Sequence, residues 1–168
     1  SRYNLISGNI ISISHDGIAL YSSSNNVISG NTISNNSYGM SFTYSSNNII
    51  FCNNFNNINQ VSVDVPNTWN YGDEGNYCSD YNGTDLYCGP FQNDTSSDGI
   101  GDYAYNISEN NQDNRPLMGM FSSFDITFER ETYNLTIISN STISDFRFGV
   151  GAETGNRMIY FNAAGENG

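Results

Sequence analysis

The first 65 residues carry a 22-residue repeat, and that period limits what they can fold into more than any other feature of the chain. Asn4-Leu5-Ile6-Ser7-Gly8-Asn9 returns as Asn26-Val27-Ile28-Ser29-Gly30-Asn31, and Asp16-Gly17-Ile18-Ala19-Leu20 returns as Tyr38-Gly39-Met40-Ser41-Phe42. A third copy, Ile49-Ile50-Phe51-Cys52-Asn53-Asn54-Phe55, falls on the same columns, and Val61 and Val63 join Met40 and Phe42 once one residue is dropped. A fixed period in this range marks a solenoid.

The spacing inside one copy selects the kind of solenoid. Apolar residues alternate with small polar ones (Ile6, Ile11, Ile13, then Ile18 and Leu20), which is strand periodicity rather than the 3.6 period of a helix. The inward columns hold Ile, Val, Phe and Met where a leucine-rich repeat would need Leu. The expected fold is therefore all-β, a right-handed parallel β-helix of about three coils over residues 1–65. Successive coils stack at about 4.8 Å, so Asn9, Asn31 and Asn53 lie over one another. They are expected to form an asparagine ladder at a turn, Asn tolerating the left-handed backbone of a sharp corner while stacked amides bond from coil to coil. A lone coil cannot bury its own apolar face, so three are near the minimum.

These coils resemble the repeats of the NosD-type and carbohydrate-binding/sugar-hydrolase group of β-helix proteins, common on archaeal cell surfaces. The likeness rests on Ile-Ser-Gly-Asn at 6–9 and 28–31 and on Asn-Asn at 25–26 and 47–48. From Pro66 the repeat stops. The stretch Gly75-Asn76-Tyr77-Cys78-Ser79-Asp80-Tyr81, then Asp98-Gly99-Ile100-Gly101-Asp102, then Pro116-Leu117-Met118 resembles the closing module that follows such coils, with Cys78 where that pattern has Trp and Arg115 where it has Tyr. Residues 66–119 are read as this loop-rich module. Residues 120–168, with alternation at Phe124 to Phe128, Leu135 to Ile137, Phe146 to Phe148 and Met158 to Phe161, resemble the small antiparallel β-sandwich that comes next in the same group.

Seventeen acids stand against five bases, all Arg, for a net charge of −12. Nucleic acid and anionic membrane surfaces need a basic footprint and are excluded as partners. No apolar run reaches the roughly 20 residues of a membrane span. The chain opens in mid-coil at Ser1 without a signal peptide, as a processed or excerpted piece would. Three cysteines and six Asn-x-Ser/Thr acceptors (Asn35, Asn82, Asn93, Asn106, Asn134 and Asn140) point to an extracellular or cell-surface location and to glycosylation.

Asp94-Thr95-Ser96-Ser97-Asp98-Gly99-Ile100-Gly101-Asp102 offers side-chain oxygens at relative positions 1, 3, 5 and 9, Gly at 6 and a backbone carbonyl at 7. That spacing suits a structural Ca²⁺ loop of Asp94, Ser96, Asp98, Ile100 and Asp102. It resembles the loops of thrombospondin type 3 repeats more than an EF-hand, because Tyr105 stands at position 12. A further carboxylate is expected from Asp113, Asp80 or Asp85. Nine of the 17 acids fall between Asp73 and Asp113 with no base among them, a repulsion a cation would offset.

Cys78 and Cys88, ten residues apart, are expected to form a disulfide that contributes on the order of 2–3 kcal/mol, with Cys52 as a small buried thiol. No catalytic set is read: His15 and Asp16 sit at a turn that the second copy fills with Ser37-Tyr38, and Met118 and Met120 lack the His partners copper would want. Tyr21, Tyr38, Tyr44, Trp69, Tyr71, Tyr77 and Tyr81 offer rings on which sugars could stack. The expectation is a structural extracellular protein, a self-assembling unit of a surface layer, sheath or filament. The alternatives are a glycan-binding module or a degenerate polysaccharide lyase or hydrolase.

Overall fold

The structure is a computed structural model that describes the backbone of residues 1–128, 131–139, 142–150 and 157–164, and the side chains of residues 1–123, 136 and 137. Among the described residues there is no helix. Three coils repeat a three-strand plan: β1 (Leu5–Ser7), β2 (Ile10–Ser12) and β3 (Asp16–Tyr21), then β4 (Val27–Ser29), β5 (Thr32–Ser34) and β6 (Tyr38–Thr43), then β7 (Ile49–Phe51), β8 (Asn54–Asn56) and β9 (Asn59–Val63). Strands stack in parallel, with Ile6 over Ile28 over Ile50, and Ile11 over Ile33 over Phe55. The third face runs Met40 to Val61 and Phe42 to Val63, the one-residue deletion falling as the sequence predicts.

The core is the inside of this three-sided tube. Ile28, Ile33, Met40 and Ile50 are fully buried, with Phe42 and Phe55 beside them; each side chain so removed from water contributes on the order of 2 kcal/mol. Period-2 patterning puts these residues in and their Ser, Thr and Asn neighbours out. Corners are made by left-handed residues. Gly8, Gly30 and Cys52 share one such column at φ 68°, 66° and 54°, and Asn25 and Asn47 share another at 59° and 57°. The ladder asparagines are thus not themselves left-handed, contrary to expectation. Each bonds back across the left-handed residue before it, as Asn53 Nδ2 does to Phe51 O at 3.0 Å.

The stacking continues past the repeat. Thr68 bridges Ile49 in parallel, and β10 (Tyr77–Cys78) pairs with β8 so that Cys78 falls beneath Phe55 in the inward column. Trp69 turns into the tube, 1% exposed, with its ring 5.7 Å from Phe42. Leu117 then bridges Tyr77 in parallel. Two short hairpins decorate this end, β11 (Tyr87–Cys88) with β12 (Asp94–Thr95) and β13 (Tyr105–Ser108) with β14 (Asn111–Asp113).

Two long antiparallel hairpins follow, β15 (Met120–Phe128) with β16 (Glu131–Ser139) and β17 (Thr142–Val150) with β18 (Arg157–Ala164). Ile143 and Phe146 to Phe148 thus belong to one strand. How the hairpins' side chains pack, and hence the sandwich expected over 120–168, lies outside the described residues. Asn54 anchors the first hairpin to the coils, its Nδ2 donating to Phe121 O at 2.8 Å and its Oδ1 accepting from Phe121 N at 2.7 Å.

Candidate functional site

The described polar groups converge most densely at the lower end of the tube, where side-chain ladders run out. Asn9 donates its backbone and side-chain N–H to Asn31 Oδ1 at 3.1 and 2.8 Å, Asn31 repeats this to Asn53 at 3.1 and 2.9 Å, and Asn53 to Asn76 at 3.1 and 3.0 Å. Asn76 passes the pattern to Asp113 Oδ2 at 2.6 and 3.1 Å. A second ladder, Asn4, Asn26, Asn48 and Asn67, ends on Asn111 Oδ1, which also accepts Trp69 Nε1–H at 2.9 Å. A third runs from Ser14 N through Asn36 and Asn57 to Gln60.

Asn111 and Asp113 are two apart on β14, so one strand face closes two ladders at once. Their types follow from what they meet. Asn111 both accepts and donates, its Nδ2 reaching Val65 O at 3.2 Å and Ser108 Oγ at 3.0 Å. Asp113 meets donors only: Asn76 N, Asn76 Nδ2 and, on its other oxygen, Arg115 N at 2.9 Å. An acceptor-only carboxylate satisfies all three, whereas an amide would turn N–H against N–H.

Asp113, expected to supply a further carboxylate to the Asp-rich loop, lies buried in the cap of the solenoid. The rest of the expected set is also divided. Asp98 Oδ1 accepts Ile100 N–H at 3.0 Å and its Oδ2 accepts Gln92 Nε2–H at 2.9 Å. Asp102 accepts Thr84 Oγ1–H, Leu86 N–H and Tyr87 N–H at 2.9, 2.9 and 3.1 Å. Asp85 holds the N–H groups of Asp98 and Gly99 at 3.0 and 2.9 Å, and Asp94 and Ser96 are exposed. These carboxylates are aimed at amides, and among the described residues no three His, Cys, Asp or Glu side chains are grouped to hold a metal. In this arrangement Asp85, Asp98 and Asp102 spend their oxygens on N–H and O–H groups of the protein. Melting in chelator and in excess Ca²⁺ should agree within about 2 °C, whereas an ion at 100 times its Kd would add about 2.7 kcal/mol; differential scanning calorimetry checks this.

All three cysteines are free. The expected Cys78–Cys88 bridge is not formed because Cys78 faces inward beneath Phe55, while Cys88 pairs with Asp94 on the β11–β12 hairpin. Burial pushes the Cys78 thiol well up, and also that of Cys52, which donates to Glu74 Oε2 at 3.3 Å. Trp69, one of the rings on which sugars could stack, is core. Tyr21 and Tyr44 are exposed and meet edge to face at 6.2 Å. His15 lies 3.3 Å from Asp16 on an exposed corner with no further acid or base in the contact. The acceptors Asn35, Asn82, Asn93 and Asn106 are all exposed; Asn134 and Asn140 lie outside the described side chains.

Burial raises the Asp113 carboxyl to about 6 although three N–H groups pull it down. A group raised above its unfolded value of 3.8 favours the folded state most when protonated, and this gain is lost as pH rises through about 6. Stability should therefore increase by about 2 kcal/mol between pH 7 and pH 4. In Asp102 desolvation is outweighed by the Leu86, Thr84 and Tyr87 hydrogen bonds, so its carboxyl sits below the usual range and opposes further acidification. Urea denaturation across this window should show the rise in the parent chain and a much flatter profile in Asp113→Asn.

A cleft of about 640 Å³ lies between the Gly8, Gly30 and Cys52 corner and the start of the first long hairpin, with Glu74 and Phe51 in its lining.

No curated protein and no solved structure matches the chain. Residues 1–83 match the NosD family, described as periplasmic copper-binding protein. The soft donors do not fit copper: Cys52 and Cys78 are buried in different columns, and His15 is on an outer corner. The family's location agrees with a place outside the cytoplasm. The match and the three stacked coils agree on one identification: residues 1–83 form a NosD-type parallel β-solenoid.

Proposed function

We propose that the chain is a structural, non-catalytic unit of an extracellular layer, sheath or filament, joined to further copies of itself through β edges. The single observation that carries this reading is the asymmetry of the tube. The lower end is closed by β14 and Leu117, which occupy the ladders and the strand edge. The upper face of the first coil keeps the outer edges of β1, β2 and β3, and among the described residues nothing donates to Asn4 Oδ1 or Asn9 Oδ1. Leu5, Ile10 and Ile13 are 66%, 84% and 87% exposed on that coil. Such a face pairs with any coil of the same spacing, of the same chain or of another copy, and an exposed apolar edge is a template for association.

The long hairpins supply a second mating surface. Each is a two-stranded sheet, marginal by itself and able to take a further strand on an outer edge, although Asn54 holds β15 at Phe121. Two different surfaces allow growth beyond a pair, whereas joining both tube ends would be blocked by the cap. Light scattering across a concentration series, with electron microscopy, should show assembly. Paired substitutions Ile10→Lys and Ile13→Lys should reduce it to monomers, since edge charges oppose strand pairing. Compact monomers at every concentration of the parent chain would defeat this reading.

A further inference from the structure

Immediately after Cys78 enters the core, the chain turns outward, and Asp80 and Tyr81 leave the tube beside β13. There they meet Tyr105 and Tyr103 around a pocket of about 430 Å³. The pocket is a built one. Tyr105 donates its hydroxyl to both Asp80 oxygens, at 3.0 and 3.1 Å, and Tyr81 donates its hydroxyl to Tyr103 O at 2.6 Å. The Tyr81 and Tyr105 rings stand at 87° with centroids 6.0 Å apart, two perpendicular walls, and Tyr103 is 67% exposed at the mouth.

We propose that this pocket binds a small organic cation bearing a quaternary or primary ammonium group. Three tyrosine rings and one carboxylate, with no Arg among the lining residues, make an environment that attracts positive charge by the negative faces of the rings and by direct ion pairing. Asp80 accepts from a single hydroxyl and keeps lone pairs for a cation's N–H or its electrostatic attraction. One carboxylate is too few for a metal ion, which would need several oxygen ligands. A neutral sugar would use the rings but leave the charge unanswered. Tyr81 and Tyr105 pack against the core on their inner sides, and the Tyr81 ring lies against Gly83 and Gly101, so Tyr103 is the ring most open to a ligand.

The test is an NMR titration of unglycosylated chain with choline in about 0.15 M salt, where diffuse attraction to the acidic surface is screened. Unglycosylated material matters because the acceptors Asn82 and Asn106 both line the pocket. Choline should bind in the millimolar range with shifts centred on residues 80–84 and 103–106. Its uncharged carbon isostere, 3,3-dimethylbutanol, should bind at least about fivefold more weakly. Tyr103→Ala, which removes an exposed ring, and Asp80→Asn, which keeps an acceptor for Tyr105, should each weaken choline by about fivefold with the melting temperature preserved. Equal affinity for the isostere, shifts spread evenly over the acidic loops, or unchanged binding in Tyr103→Ala would overturn the proposal. So would a neutral disaccharide that occupies the same residues more tightly.

Discussion

Asn53→Ala is expected to cost about 4 kcal/mol, a large part of the stability of a domain this size. The Asn53 side chain makes five hydrogen bonds: it accepts from Asn31 N and Nδ2, and donates to Ile28 O, Phe51 O and Asn76 Oδ1. Alanine removes all five and leaves Asn31 N, Ile28 O and Phe51 O inside the tube, where each orphaned group costs about 1–3 kcal/mol. Backbone–backbone bonds between the coils remain, so the sum falls below the maximum. The melting temperature should drop by about 10 °C or more. Asn35→Gly is the control: Asn35 is exposed and left-handed at φ 58°, so glycine removes an amide without strain and should shift melting by no more than about 2 °C. Equal effects of the two substitutions, measured by thermal circular dichroism, would refute the ladder as the source of stability.

The repeat made this legible, but only as far as the period held. Asn9, Asn31 and Asn53 declare themselves because a 22-residue spacing puts like over like, and the one-residue slip before Val61 is visible against the apolar columns. Asn76 and Asn67 continue two ladders at spacings of 23 and 19 from Asn53 and Asn48, and a search tolerant of loop-length changes would have found them. The caps are another matter. Asp113 bonds across 37 residues and Asn111 across 44, in a stretch with no period at all. There a one-dimensional pattern shows the charge of Asp113 without the N–H groups around it. The burial of Trp69 is hidden for the same reason: beyond Pro66 nothing marks its inward turn. The third ladder hid because its spacing is irregular, 21 from Asn36 to Asn57 and three from Asn57 to Gln60, and because Ser14 joins it only through its backbone N–H. In the Asp-rich loop, spacing alone does not distinguish a carboxylate that turns toward a metal from one that turns toward the next amide.

Gly75→Ala should be about as damaging as losing Asn53, by about 4 kcal/mol, though nothing polar is deleted. Gly75 lies where the last partial coil meets the cap: its carbonyl accepts Cys52 N–H at 2.6 Å, and its Cα faces Arg115 O and the Asp113 carboxylate so closely that a Cβ would run into both. One of those neighbours is backbone and the other holds three hydrogen bonds, so neither yields without loss. Relief requires β14 to move away, which breaks the Asn76–Asp113 pair and draws Asn111 off the second ladder and off Trp69. The consequence is specific: hydrogen exchange should accelerate at Asn76, Asn111 and Arg115 well before the amides of β4, β5 and β6 respond. Gly72→Asn provides the contrast, because Gly72 is left-handed at φ 60° with open space around its missing Cβ, and Asn tolerates that conformation. If Gly75→Ala instead melts like the parent chain, or exchange rises evenly through all coils, then the hairpin does not hold the lower end shut, and the asymmetry behind end-selective assembly is lost with it.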